Sequence, residues 1–172
     1  MKTAILFLVL INSAFGQVVH SRKETATDGL RIEVRTSSNR VQLTDEIVVT
    51  VFFRSPEKDT TIWNALGWGA SGLYLQVSDS SGHKVRNDFA QMFHPLPPDR
   101  TGKNALISIG GKSFAGFDSQ IMVKTLFPGP GKYTVKCTYS PPLPRDYFHG
   151  HKIWGKEDGP IESASVPIFV DK

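Results

Sequence analysis

Two histidines near the C-terminal end have a spacing that suits metal ligands. His149 and His151 are separated by one residue, and on a β-strand this spacing places both imidazole rings on the same face. Imidazole nitrogens bind zinc and copper, and His94, beside a proline-rich stretch, is the candidate third ligand. Two histidines do not complete a site, and no acidic ligand stands in register with them. Metal binding is therefore one hypothesis, and exposed loop histidines are the alternative.

Five aromatic residues form a second candidate site. Rings exposed at the rim of a β-domain can stack on sugar faces or anchor a protein partner. The same rings would otherwise cap the open ends of the domain. The sequence leaves open whether the Trp-rich segment 62–72 and the loop 145–158 lie at the same end. The candidate binding residues are Trp63, Trp68, Tyr147, Phe148 and Trp154.

Catalytic motifs are missing from the sequence. It contains no Gly-x-Ser-x-Gly elbow, no His-Glu-x-x-His pair and no phosphate-cradling glycine loop. Asp146, Glu157 and Asp158 are loop carboxylates without a visible partner, and we interpret them as solvated. Cys137 is the only cysteine, so no internal disulfide is possible, and its register predicts a small buried hydrophobe rather than a reactive thiol. We predict no enzymatic activity and no cofactor.

Strands with one buried face must position these residues. From Tyr133 to Tyr139, apolar or aromatic residues alternate with polar ones, which is the period of a strand with one buried and one solvated face. Prolines end this strand, since proline cannot donate to a ladder. Residues 83–86 are predicted to return as a hairpin strand, and Pro167 predicts that the last strand is an edge or is paired on one side. Similar patterns occur at 30–35, 46–54, 73–78 and 166–170, and residues 106–109 form a further short apolar segment.

The first residues indicate export. Residues 1–16 combine Lys2, an apolar run and small residues before Gln17, so we predict a signal peptide that is cleaved after Gly16. Residues 17–29 are predicted to be a flexible leader and residues 30–172 a single domain. The sequence pI of about 9.2 comes from scattered charges, so nucleic-acid binding is not predicted. The sequence has no second long apolar run, so we predict no transmembrane segment. The expected location is secreted or periplasmic.

One short motif resembles a known family. Gly131-Lys132-Tyr133-Thr134-Val135 resembles the Gly-x-Tyr-x-(Val/Cys) pattern of immunoglobulin-like and fibronectin type III-like domains. The resemblance implies that the hydroxyl of Tyr133 bonds back to the preceding turn as a tyrosine corner. Val135 stands where an immunoglobulin domain carries its second cysteine, so the chain resembles disulfide-free, bacterial-type exported modules. The implied fold is an all-β, antiparallel, two-sheet immunoglobulin-like β-sandwich of seven to eight strands, each 4–8 residues long.

Three functional hypotheses follow. The first is an exported, non-enzymatic binding or structural module whose partner is another protein. The second is a carbohydrate-binding module, which requires the loop tryptophans to cluster on one exposed surface. The third is a metal-binding protein, which requires His94, His149 and His151 to converge.

Overall fold

The computed structural model describes residues 29–55, 57–63, 68, 72–87, 89 and 106–172. This part contains ten β-strands and one short α-helix, so the predicted all-β class is confirmed. The predicted signal peptide, nearly all of the predicted leader and His94 lie outside the described residues. The strands are β1 (Arg31–Thr36), β2 (Arg40–Gln42), β3 (Glu46–Ser55), β4 (Thr60–Trp63), β5 (Leu73–Asp79), β6 (Leu106–Ile109), β7 (Ser113–Met122), β8 (Gly131–Tyr139), β9 (Ile161–Glu162) and β10 (Val166–Asp171), and the helix is α1 (Val123–Leu126).

The described strands form three sheets. One has the order β1-β3-β7, and the second has the order β2-β10-β8-β5 with β9 paired to β8. The third is the two-stranded ribbon β4–β6, which the sequence did not predict. Only the pairing of β10 with β2 is parallel among these strands. The ribbon lies beyond the end of the β3–β7 ladder. β3 ends at Ser55, opposite Ser113 at the start of β7, and the ribbon is formed by β4, which follows β3, and β6, which precedes β7.

The two larger sheets contribute buried side chains to one main apolar core. Alternate residues of β3 and β8 are buried, as their period of two predicts. The rings of Phe53 and Tyr139 meet edge to face across this core, with their centroids 5.3 Å apart. Cys137 is fully buried in the same layer, which confirms its interpretation as a small hydrophobe. This burial raises the pKa of the Cys137 thiol.

The last strand departs from its prediction. β10 pairs with β8 on one side and with β2 on the other, so it is not an edge strand. The prediction is wrong because the two ladders are offset along β10. β2 is in register only with residues 169–171, whereas Pro167 lies opposite Thr134 of β8. The missing N–H of Pro167 therefore interrupts no pairing with β2.

The prediction that residues 83–86 return as a hairpin strand is also wrong. After the turn at Asp79, this segment makes one isolated bridge, between Ser78 and Lys84. Val85 donates its N–H to the carbonyl of Val77 at 2.9 Å, but no ladder follows. The prediction of seven to eight strands of 4–8 residues is also wrong, because the described part has ten strands, of which β3 and β7 have 10 residues each and β9 has 2.

The turn before β8 is tied down by a tyrosine. The hydroxyl of Tyr133 donates a hydrogen bond to the carbonyl oxygen of Gly129 at 2.9 Å. Its ring packs on Phe127, with centroids 4.9 Å apart. This is the contact that the tyrosine-corner resemblance implies, and it fixes the start of a strand that has neighbours on both sides.

Loss of the hydroxyl should affect the stability of the protein differently at Tyr133 and at Tyr139 of β8. Tyr133→Phe should lower the free energy of unfolding by about 1 kcal/mol, because one hydrogen bond is lost. The buried hydroxyl of Tyr139 has no partner among the described residues, so Tyr139→Phe should leave stability unchanged or raise it. Urea denaturation measures both variants. Equal losses in the two would contradict this assignment.

The Cys137 thiol should be inert in the folded protein. Burial keeps it protonated and inaccessible, whereas the thiolate is the reactive form. We expect no labelling by an aromatic disulfide reagent in native buffer and complete labelling in denaturant. Stoichiometric labelling of the folded protein on the time scale of mixing would show that the strand is open at this point.

Candidate binding site

The residues from 143 to 159 fold back on themselves and form what we call the closed loop. Prolines at 141, 142 and 144 follow β8, so the chain must leave the sheet there. The backbone then closes on itself through two hydrogen bonds. Lys156 donates its N–H to the carbonyl of Leu143 at 2.9 Å, and Ile153 donates to the carbonyl of Arg145 at 3.0 Å.

An arginine clamp joins the two ends of the closed loop. The Arg145 guanidinium donates from Nε to Asp158 Oδ2 at 3.2 Å and from a terminal nitrogen to Asp158 Oδ1. The backbone N–H of Arg145 donates to Glu157 Oε2 at 2.8 Å, and Gly155 N–H donates to Asp158 Oδ2 at 2.9 Å. The hydrogen bond to Asp158 raises the pKa of Arg145. The interpretation of Glu157 and Asp158 as partnerless, solvated carboxylates is therefore wrong, whereas Asp146 is exposed.

Inside the closed loop lies a small apolar cluster, separate from the main core. Its buried members come from the end of β4 and from the loop, with Tyr147 and Leu106 partly buried against them. The backbone N–H of Trp154 donates to the carbonyl of Thr61 at 2.7 Å, so the loop lies along β4. The buried members are Trp63, Leu143, Phe148 and Ile153.

The structure brings together some of the predicted aromatic residues. Trp63, Tyr147 and Phe148 belong to the small cluster, and Trp154 is half-buried against the main core, with its indole over Gly29. Trp68 lies elsewhere and packs edge-on against Phe89 and Phe117, with its ring centroid 5.4 Å from the centroid of each. Only 7% of Trp63 and 8% of Trp68 are exposed. These indoles therefore present little ring surface to a sugar.

The two histidines of the closed loop lie in a turn. His151 donates its N–H to the carbonyl of Phe148 at 3.1 Å, and Gly150 between the histidines has a φ of 78°. The expectation that a strand places both rings on one face therefore does not hold. Both side chains are exposed. In the described part, no three His, Cys, Asp or Glu side chains are close enough to hold a metal ion.

The closed loop carries exposed side chains at its tip and is fixed at its base. His149, His151 and Lys152 are exposed at its tip, while the clamp and the small cluster hold its base. The tip can donate and accept hydrogen bonds. The sequence analysis missed the clamp, although an Arg at one end of the loop and two acidic residues at the other were a visible signal.

Comparisons with known proteins were made for the sequence and for the fold. No protein-family model and no curated protein matches the chain. Among solved structures, it is similar to Spo0M, a sporulation control protein from Bacillus subtilis, with a TM-score of 0.44 and 12% sequence identity. The similarity covers 84% of this chain and 50% of the Spo0M chain, so this chain spans about half of that protein. Within the described residues, no helix has the length and apolar character needed to cross a membrane.

Removing the clamp should loosen the closed loop selectively. Asp158→Asn weakens the charged hydrogen bonds to Arg145, so we expect the loop to open more readily. The amides of Ile153 and Lys156 should then exchange with deuterium measurably faster. Asp146→Asn is the matched control, since this exposed carboxylate lies in the same loop. Equal exchange rates in both variants would contradict a clamp.

Proposed function

We propose that this chain is an exported, non-enzymatic module that binds another protein through the tip of the closed loop, residues 147–152. In this proposal, residues 1–16 are a signal peptide and the module acts at the cell envelope or outside the cell. The observation that carries it is the contrast between the loop's base and its tip. The base is fixed by the Arg145 clamp and by the buried side chains of Leu143 and Ile153, whereas the tip exposes polar side chains.

Such a contrast favours recognition. Compact surface loops that are packed by their own side chains frequently carry function, and binding residues are concentrated on loops that a rigid scaffold positions. A loop that is already ordered loses less conformational entropy when a partner binds. An ordered tip therefore favours binding of a partner, because little conformational entropy remains to be lost.

The chemistry of the tip suits a protein surface. Tyr147 is partly buried against the edge of Phe148, with ring centroids 5.1 Å apart, and tyrosine is enriched at protein interfaces. His149, His151 and Lys152 follow it in the same segment, are exposed and supply hydrogen-bond donors. We propose that the partner supplies carboxylates or backbone carbonyls as acceptors.

The proposed fold is an immunoglobulin-like β-sandwich. Two features support it: the shared core of the two larger sheets, and the hydrogen bond from Tyr133 to Gly129. In such sandwiches, the loops cluster at the two ends and can form binding sites. The placement of the closed loop just after β8 agrees with that use.

The other two hypotheses have less support from the described residues. Sugar stacking on the loop tryptophans needs exposed indoles, but Trp63 and Trp68 are 7% and 8% exposed. Metal binding by His149 and His151 needs further ligands, and His94 lies outside the described part. Protein binding requires neither condition.

A site-specific crosslink tests the proposal. A photoreactive phenylalanine analogue at His149 should yield a discrete adduct with another protein in the producing organism. The same analogue at Ser81, an exposed residue of a different turn, is the control and should yield none. Asp158→Asn should reduce the adduct at 149, because the loop is then less ordered. Absence of an adduct at 149, or equal labelling from 149 and 81, would refute the role of the tip.

A further inference from the structure

A second surface of the molecule is independent of the closed loop. The five-stranded sheet turns one face to the core and the other to solvent, and alternate residues of β5, β8 and β10 lie on the solvent side. The middle of this side carries hydroxyl, amide and ammonium groups, and an exposed ring lies at each end. We call it the polar face; its principal members are Tyr74, Gln76, Thr134, Lys136, Thr138 and Phe169.

The two rings are exposed and well separated. Tyr74 is 50% exposed and Phe169 is 39% exposed. Tyr74 is in register with Thr138, and Phe169 with Lys132, on opposite sides of β8. At the rise of an extended strand, these two positions of β8 are about 20 Å apart. The rings therefore mark the two ends of an elongated surface rather than one compact patch.

Both carboxylates on the polar face are already paired. Glu162 accepts a hydrogen bond from Lys136 Nζ at 2.7 Å, which lowers the pKa of Glu162. Asp171 accepts two from the Arg40 guanidinium, at 2.6 and 3.1 Å, which lowers the pKa of Asp171. Within each pair the two charges cancel. The remaining cations therefore determine the sign of the net charge of the polar face.

Two further lysines make the face positive. The Nζ of Lys132 lies over the ring of Phe169, 5.8 Å from its centroid, so a cation stands over one face of this exposed ring. Lys84 is exposed and bridges to Ser78 at the edge of β5. Lys84 therefore lies beside the edge strand β5, whereas Lys132 lies on the inner strand β8 at the Phe169 end of the face.

A groove extends the polar face beyond β5. It is a shallow, open depression rather than an enclosed pocket. Its walls include the apolar side chains of Val77 and Val85 and the polar side chains of Gln76, Lys84 and Arg86. Gln76 belongs to both the face and the groove, so the two form a continuous surface with added positive charge.

This arrangement fits a polysaccharide better than a protein or a membrane. A protein interface has an apolar centre and a polar rim, whereas the polar face has a polar centre and aromatic ends. A membrane-binding surface needs a continuous apolar strip, which rings about 20 Å apart do not provide. A polysaccharide offers hydroxyl groups along its length for Thr134, Thr138 and Gln76, and apolar ring faces for Tyr74 and Phe169.

We infer that the polar face binds an anionic polysaccharide, which crosses β8 between Phe169 and Tyr74. Its carboxylate or sulfate groups pair with Lys132 and Lys84. Its sugar rings stack on the two aromatic side chains. This site shares no residue with the tip of the closed loop, so the crosslinking experiment above succeeds or fails independently of it.

Calorimetric titration of the purified protein with three polymers tests the inference. Polygalacturonate carries carboxylates, dextran sulfate carries sulfates, and unmodified dextran is the neutral control. At least one anionic polymer should bind, with an affinity that falls as salt rises, and dextran should bind more weakly. The double variant Tyr74→Ser/Phe169→Ser should raise the dissociation constant at least about tenfold. Phe114→Ser is the matched control, since Phe114 is 63% exposed on the other large sheet.

Lys132→Gln keeps the test decisive if the double variant does not fold. It should weaken binding of the anionic polymer and flatten the salt dependence, while the circular dichroism spectrum stays unchanged. The inference is overturned if neither anionic polymer binds, or if Phe114→Ser weakens binding as much as the double variant does. It is also overturned if polyglutamate or phosphatidylglycerol vesicles bind as tightly as the polysaccharides and respond to the same variants. In those cases charge alone, or lipid, is what the face recognises.

Discussion

The packing of one face of β8 against β3 is the interaction on which the other elements depend. Four alternate side chains of β8 are buried, and the last of them, Tyr139, meets Phe53 of β3 edge to face. Burial of each large apolar side chain is worth about 1.5–3 kcal/mol, whereas the hydrogen bond of Tyr133 is worth about 1 kcal/mol. Apolar burial therefore holds β8 in place, and the tyrosine corner refines where the strand begins. The period of two that places these side chains in the core also places Thr134, Lys136 and Thr138 on the polar face.

The closed loop follows from the way β8 ends. Prolines after Tyr139 prevent the strand from continuing, so the chain must satisfy its backbone outside the sheet. It does so locally, through the bonds of Arg145 with Glu157 and Asp158 and through the small cluster around Trp63. β4 serves both sides of this arrangement, because Ile62 enters the main core and Trp63 enters the small cluster. One short strand thus couples the loop to the domain.

The sequence predicted the elements whose structure depends on local pattern. Alternation was sufficient for β8 and β3, because a strand with one buried face needs no knowledge of its neighbours. It failed for β10, where the offset between two ladders, and not Pro167 itself, decides the pairing. It also failed for His149 and His151, since same-face spacing presumes a strand and the chain turns at Gly150. Contacts between segments far apart in the chain, such as Trp63 with the closed loop, leave no periodic signal.

The aromatic residues show why size was a poor guide to exposure. The sequence analysis chose the tryptophans, but a large ring gains most by leaving water, and Trp63 and Trp68 are buried. Tyr74 and Phe169 were overlooked, although each stands between apolar residues that face the core, Tyr74 between Leu73 and Leu75 and Phe169 between Ile168 and Val170. Their register on amphipathic strands forces these rings outward whatever their hydrophobicity. In this chain, register on an amphipathic strand therefore decides whether an aromatic ring is exposed more than the size of the ring does.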